Sequence, residues 1–214
     1  MTTFKVLAIH TAKITELTFG KKTFPSALLK QPIEKGMFLS YTGLAEDEQT
    51  PEHHGGTEKA LCLYPYDHYS FWDGWMEMRD GAALFGENIT TEGLHEQNTH
   101  IGDRFEFGEA IIEVTEPRQP CFKIAARYHK PELIVRMRES GYTGFYFRVL
   151  KEGTVKPGDV LTCVERDPAR VSVHEVNQLL FSSAPRASQY DRVLEAKALS
   201  KTLRPKLIQK RNQL

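Results

Sequence analysis

The chain of 214 residues is long enough to bury one core, or one domain with an appendage, and its hydrophobic and charged fractions are those of a folded globular protein. Lysine plus arginine and aspartate plus glutamate both number 28, so no overall charge attracts nucleic acid or an anionic membrane. The three cysteines are odd in number and widely spaced, which argues against a disulfide framework. The sequence also shows no apolar run typical of a signal peptide or a membrane span, so we expect a cytoplasmic protein.

The first part of the chain predicts short strands joined by turns that contain glycine or proline. The apolar and β-branched runs predict strands near residues 5–14, 61–64, 101–107, 110–114, 145–150 and 160–164. Only two helices are predicted among them, from Pro65 to about Trp75 and from Pro131 to about Ser140. Because helices and strands do not alternate regularly, the pattern favours a mainly β fold built on a barrel over βαβ units.

The periodicity becomes helical after residue 167. Ser172 and Glu175 form a capping box that begins a helix, Pro185 ends it, and two further helices are predicted at 189–199 and 203–209. We therefore divide the chain into a barrel domain at 1–167 and a C-terminal three-helix domain at 168–214. Some forty polar-rich residues bury little by themselves, so we expect these helices to pack on the barrel or on another subunit.

Cys121 is the strongest candidate for chemistry. It follows a predicted strand that Pro117 and Pro120 terminate, and it lies between Arg118 and Lys123, whose positive charge favours the reactive thiolate. The other two cysteines, Cys62 and Cys163, lie in apolar runs and are expected to be ordinary buried residues.

Two polar clusters rich in glycine precede Cys121. The first joins His53 and His54 to Gly55, Gly56 and Lys59; glycines there let backbone N–H groups approach a ligand closely. The second contains Gly86, Glu87 and Asn88. The histidines also fit a solvated loop, and Asn88 also fits a turn residue that satisfies its own backbone. The aromatic residues between 64 and 72 fit a core and pocket wall better than a stacking platform.

Four short motifs stand in a fixed order: His54-Gly55-Gly56, Phe85-Gly86-Glu87-Asn88, Ile101-Gly102-Asp103 and Pro117-Arg118-x-Pro120-Cys121. Together they resemble the MOSC family, the molybdenum-cofactor sulfurase C-terminal domain, and in particular its YiiM-type bacterial subgroup, which also carries a C-terminal three-helix extension. The resemblance implies a β-barrel that binds a molybdenum cofactor of the molybdopterin type, with Cys121 as the thiolate ligand of molybdenum. It also implies reduction of N-hydroxylated compounds, such as 6-N-hydroxylaminopurine, to amines.

The remaining site residues are assigned on the same resemblance. A pterin phosphate needs cations and backbone donors, which the following residues would supply: Gly55, Gly56, Lys59, Gly86, Asn88, Arg118 and Lys123. His54 and Glu87 are both candidate proton donors, and nothing in the sequence decides between them.

Electrons are expected from a separate protein, because the chain has neither a dinucleotide-binding glycine motif nor a cysteine cluster for an iron–sulfur centre. A basic group near the C-terminus either docks this donor or complements helix ends; it comprises Lys201, Arg204, Lys206, Lys210 and Arg211. The protein is expected to be a monomer or homodimer.

Two other functions remain open. Cys121 also suits a sulfur carrier or cofactor-handling module that uses a persulfide. A zinc site of His53, His54 and Cys121 is the weakest alternative, because adjacent histidines point in different directions on most backbones.

Overall fold

Seven strands close into one barrel. The structure, a computed structural model, describes residues 2–49, 55–76 and 83–214. Around the ring the strands are β1 (Thr3–Thr11), β8 (Ile89–Glu92), β7 (Leu61–Pro65), β11 (Phe145–Lys151), β10 (Ala110–Pro117), β9 (Arg104–Phe107) and β13 (Val160–Glu165). Pairing of β13 with β1 closes the ring, and β7–β8 is its one parallel pair. The predicted mainly β barrel is confirmed.

Shorter strands decorate this barrel. The hairpin of β2 (Thr15–Phe19) and β3 (Lys22–Ser26) stands apart as a two-stranded sheet, and β4 (Gln31–Pro32) extends the pairing of β1. A three-stranded sheet contains β5 (Met37–Ser40), β6 (Gly43–Leu44) and β12 (Gly153–Val155).

The helices between the strands differ in part from the prediction. The segment predicted as a helix from Pro65 is a 3₁₀-helix at Tyr66–Trp72, and Pro65 itself ends strand β7. A 3₁₀-helix places every third residue on one face, which lets Tyr69 and Trp72 both enter the core. A second short 3₁₀-helix spans Thr57–Lys59.

The α-helix after Cys121 was not predicted. Helix α1 (Phe122–Tyr128) begins directly after the cysteine, and α2 (Glu132–Ser140) matches the predicted helix. The sequence of α1 lacks a capping side chain, since Cys121 makes no side-chain cap hydrogen bond, so no start signal marks it. Among the described residues, no helix has the length and apolar character needed to cross a bilayer.

The C-terminal helices share one core with the barrel. They are α3 (Val173–Phe181), α4 (Ala187–Leu194) and α5 (Arg204–Arg211), and the capping box of Ser172 and Glu175 is formed. Val176, Leu179 and Leu207 belong to the same buried cluster as barrel residues such as Phe147. The three helices therefore pack on the barrel of their own chain, as one of the two predicted arrangements requires.

Two members of the basic C-terminal group have partners within this packing. Arg204 donates to Leu194 O and Ala196 O, both at 3.0 Å, where α4 ends. Arg211 Nε donates to Asp191 Oδ1 at 2.9 Å. These contacts fit the account in which cations complement helix ends.

A second cluster of buried aromatic side chains lies beside the barrel. Tyr64, Tyr69, Trp72 and Phe85 belong to it, and Tyr64 stacks on Phe85 with ring centroids 4.0 Å apart. Trp72 Nε1 donates to Tyr64 Oη at 2.7 Å, so the polar atoms of the cluster are paired as well. Tyr64, Tyr69 and Trp72 of the predicted stretch are therefore core, whereas Tyr66 is 51% exposed.

A buried turn before β11 fixes the strand that leads to Cys121. Gly144 has φ +72° and accepts a hydrogen bond from Arg118 N at 2.9 Å. The Glu96 carboxylate also fixes this turn, since its Oε1 accepts hydrogen bonds from Thr143 N at 3.0 Å and Gly144 N at 2.8 Å. A Cβ at Gly144 would lie 2.2 Å from Leu63 O, so only glycine fits there.

This close approach predicts a large difference between two glycine substitutions. Gly144→Ala should lower the free energy of unfolding by about 3 kcal/mol or more, because left-handed backbone strain and a backbone clash add. Gly20→Ala is the matched control: Gly20 has φ +61° but no atom within 4 Å of an added Cβ, so strain alone should cost about 1 kcal/mol. Urea unfolding measures both, and equal losses would contradict the packing described.

Candidate active site

A cleft against the outer face of β7 and β11 collects most of the predicted site residues. It encloses about 600 Å³ when its open mouth is counted, which is the size of a cofactor or small-ligand site. Its lining comes from residues within 26–30, 47–49, 55–62 and 118–124, together with Gly86, Asn88 and Tyr146. Predicted residues in the lining are Gly55, Lys59, Gly86, Asn88, Arg118, Cys121 and Lys123.

Cys121 lies at the point where the strand exit becomes a helix. It is a free, half-buried thiol with extended backbone dihedral angles, immediately before α1. Strand β10 ends at Pro117, where prolines interrupt the ladder as the sequence indicates. The thiol therefore faces the cleft from a fixed backbone position and remains accessible.

Arg118 is the unusual charge of the cleft. Its side chain is 6% exposed, and Nη1 has no hydrogen-bond partner among the residues that the structure describes. Within those residues it forms no ion pair with a carboxylate, although it hydrogen-bonds the Cys62 thiol and interacts electrostatically with Tyr146, Glu87 and Cys121. A buried guanidinium with an unpaired N–H is costly, so the position indicates a site for an anionic ligand group.

The two predicted lysines both line the cleft but differ in their contacts. Lys59 Nζ forms an ion pair with Glu116 Oε1 at 2.6 Å and lies 5.4 Å from the ring centroid of Tyr146. Lys123 Nζ donates to Pro25 O at 2.8 Å, which ties α1 to the end of the β2–β3 hairpin.

The predicted glycines differ in whether they line the cleft and in how much space surrounds them. Gly55 and Gly86 line the cleft at φ +87° and +71°, and in both an added Cβ would collide, with Gln49 Oε1 at 1.5 Å and with Leu28 Cδ1 at 2.5 Å respectively. Gly56 precedes the short helix at Thr57–Lys59, lies outside the lining and has open space around it. His53 and His54 lie outside the described residues, so the structure does not address the predicted zinc ligands or the predicted His54 proton donor.

Asn88 lines the cleft, but its side chain hydrogen-bonds the backbone of two strands, β1 and β7. Its Oδ1 accepts from Cys62 N at 3.1 Å, while Nδ2 donates to His10 O at 3.2 Å and Asp47 Oδ2 at 2.8 Å. These contacts join β1 to β7, so the side chain does not satisfy its own backbone, which the turn interpretation requires.

Glu87 lies behind the cleft, outside its lining. Its carboxylate is buried and accepts hydrogen bonds from Tyr69 Oη at 2.5 Å, Phe85 N at 2.8 Å and Thr90 Oγ1 at 3.3 Å. Burial, with the Glu87 charge second, raises the pKa of Tyr69. Because Glu87 does not line the cleft, its position does not support the predicted role as proton donor.

Several residues of the cleft were missed from the sequence. Lys30 and Asp47 form a buried ion pair in its wall, and Tyr146 lines the side near Lys59. Asp47 lies in the acidic run Glu46-Asp47-Glu48 and Lys30 stands in no motif, so only the fold brings them together. Cys62 is buried as predicted, yet its thiol also borders the cleft beside Arg118.

The three thiols should differ in reactivity with iodoacetamide at pH 8. Burial raises the pKa of Cys62, and the Arg118 charge offsets this only in part; burial likewise raises the pKa of Cys163. A raised pKa leaves less thiolate at a given pH, so half-buried Cys121 should be modified first and the other two slowly. Peptide mapping by mass spectrometry checks the order, and urea-unfolded protein, in which all three should react, is the control. Equal rates for Cys62 and Cys121 in the folded protein would contradict this structure of the cleft.

Comparison with known proteins agrees with this geometry. Residues 50–162 match the MOSC domain family. YflK of Bacillus subtilis is 36% identical over 212 residues, covering 99% of this chain and 96% of that protein; YiiM of Escherichia coli is 36% identical over 200 residues, covering 91% and 87%. A Gibberella moniliformis protein named Reductase is 34% identical over 180 residues, which are 82% of this chain but 32% of that longer protein.

The barrel and the C-terminal helices also match a solved structure. The crystal structure of YiiM from Geobacillus stearothermophilus has a TM-score of 0.81 at 30% identity and covers 97% of this chain and 98% of its own. The resemblance seen in the motifs thus extends over the whole fold, and the chain belongs to the MOSC domain family, among its YiiM-type members.

Proposed function

We propose that this protein binds a molybdenum cofactor of the molybdopterin type in the cleft and reduces N-hydroxylated compounds to amines. The observation that carries the proposal is the buried guanidinium of Arg118, whose Nη1 lacks a partner among the described residues, beside the accessible thiol of Cys121. Membership of the MOSC family and a relative named Reductase support an oxidoreductase.

The donor set of the cleft fits such a cofactor. A thiolate is a soft ligand that suits a molybdenum centre, and Cys121 offers one without losing any packing partner. Arg118 and Lys59 provide cations for an anionic phosphate, and Gly55 lets the backbone approach it closely. When bound, the cofactor supplies the two-electron chemistry that reduces an N–O bond.

In this proposal the residues of this chain bind the cofactor and orient it. Arg118 and Lys59 would hold the anionic phosphate of the cofactor, and Cys121, at the N-terminus of α1, would supply the thiolate ligand of its molybdenum. Reduction of an N–OH group to N–H and water takes up two electrons and two protons, and we propose that the electrons come from a separate protein, since three cysteines are too few for a four-cysteine cluster. Of the two candidate proton donors, His54 and Glu87, we propose His54, since Glu87 lies outside the lining of the cleft.

A persulfide carrier is the second candidate. The half-exposed Cys121 thiol beside a buried cation suits a persulfide anion as well. Metal and pterin analysis of protein from a cofactor-competent host separates the two, because only the reductase requires stoichiometric molybdenum and pterin.

Cys121→Ser should abolish reduction of 6-N-hydroxylaminopurine with an artificial reductant and remove molybdenum from the purified protein, since an alkoxide does not replace a soft thiolate. The melting temperature should change little, because the thiol is half-exposed. The matched control is Cys163→Ser, which alters a buried thiol on β13 outside the cleft lining: it should lower stability and leave molybdenum content unchanged. Full activity in the Cys121 variant would refute the ligand assignment.

Arg118→Met tests whether this arginine serves binding or stability. We expect cofactor-free protein to keep its free energy of unfolding within about 1 kcal/mol, or to gain, because the substitution removes a buried charge without a carboxylate partner. Pterin retention should fall, most steeply at high salt.

The matched control for Arg118 is Arg148→Met. Arg148 pairs with Glu58 at 2.9 Å and Glu113 at 3.2 Å, so its removal should cost about 2 kcal/mol. Chemical unfolding of cofactor-free protein measures both variants. A loss at Arg118 as large as at Arg148 would show that Arg118 stabilises the fold instead.

A further inference from the structure

Lys59 is held at the cleft by a buried carboxylate that the C-terminal segment also contacts. Glu116, which is 1% exposed on β10, accepts the ion pair of Lys59 through Oε1 at 2.6 Å. Its other oxygen, Oε2, accepts a hydrogen bond from Ser200 Oγ. A carboxylate only accepts, so the Ser200 hydroxyl is the donor and its direction is fixed.

Ser200 itself has little freedom. It is fully buried, its backbone N donates to Thr115 O at 3.3 Å, and its Oγ accepts from Leu203 N at 3.0 Å. The hydroxyl thus links the start of α5 to the end of β10. With one oxygen bonded to Ser200 and the other to Lys59, the Glu116 carboxylate is held in one orientation.

The same C-terminal segment holds the turn that carries Lys59. Glu58 Oε2 accepts from Lys201 N and from Arg148 Nη2, both at 2.9 Å. Arg148 Nη2 also donates to Ala198 O at 2.7 Å. Residues 198–201 therefore fix both the residue before Lys59 and the carboxylate opposite its ammonium.

This arrangement leaves Lys59 oriented toward the cleft. An ammonium has three donors, and among the described residues only Glu116 accepts from Lys59, which leaves two donors for a ligand. An ammonium that is already held loses less conformational entropy on binding than a mobile surface lysine.

We propose that Glu116 and Ser200 are positioning residues that hold the Lys59 ammonium in place to bind an anionic group of the ligand in the cleft. The C-terminal helices then have a part in ligand binding, although none of their residues lines the cleft. The proposal rests on the proposed function only for the identity of the ligand, a cofactor phosphate.

The first test needs no cofactor. Cofactor-free protein is treated with limiting acetic anhydride, and acetylation at Lys59 is measured by mass spectrometry relative to exposed Lys206. Ser200→Ala should raise acetylation at Lys59 roughly three- to tenfold, because the carboxylate that shields the ammonium loses its fixed orientation. The matched control is Ser172→Ala, which removes the cap of α3 and so destabilises the same helices without contacting Glu116. Unchanged acetylation in Ser200→Ala, or an equal rise in Ser172→Ala, would overturn the positioning role.

The second test measures the pterin that remains bound over a salt series. In Ser200→Ala and Glu116→Gln the half-point of pterin loss should move to lower salt, and in Ser172→Ala it should stay. Raised acetylation with unchanged pterin retention would overturn the ligand contact of Lys59. A wild-type protein without pterin would overturn the proposed function alone, and the acetylation comparison would still decide the positioning role.

Discussion

The buried carboxylate of Glu96 connects the parts of the chain on which the cleft depends. One oxygen accepts from the backbone of the Thr143–Gly144 turn, and the other lies 2.7 Å from His68 Nε2 of the 3₁₀-helix. Gly144 in turn accepts the backbone N–H of Arg118, which sets the direction of the segment toward Cys121. A fully buried carboxylate persists only when its hydrogen bonds are satisfied, so strand exit, turn and helix are fixed together.

The charges of the cleft are arranged unequally. Lys30 and Lys59 each have a buried carboxylate partner, Asp47 and Glu116, whereas Arg118 has none among the described residues. Each lysine thus has a carboxylate beside it, whereas Nη1 of Arg118 has no hydrogen-bond partner among the described residues. An anionic ligand group is therefore favoured at Arg118 in particular, and not equally at every cation of the cleft.

The sequence predicts the barrel, the capping box and the position of Cys121, because each depends on local signals: alternating strands, a Ser-x-x-Glu pattern and prolines at a strand exit. It does not predict the interaction of Lys59 with Glu116 and Ser200, because these residues come together only through tertiary packing. It also treats Ile101-Gly102-Asp103 as part of the site motifs. In the fold, Asp103 accepts from His100 and Arg166 and anchors the chain that leads into the C-terminal helices.

The contact between Ser200 and Glu116 has a consequence for biosynthesis. The barrel strands and Cys121 leave the ribosome well before the segment at 198–201, so a nascent chain can form the barrel while the carboxylate beside Lys59 still lacks its hydroxyl partner. The cleft reaches its final form only after residues 198–201 have been synthesised and have packed on the barrel. A translation product that stops before α3 exposes the apolar face that α3 to α5 would cover.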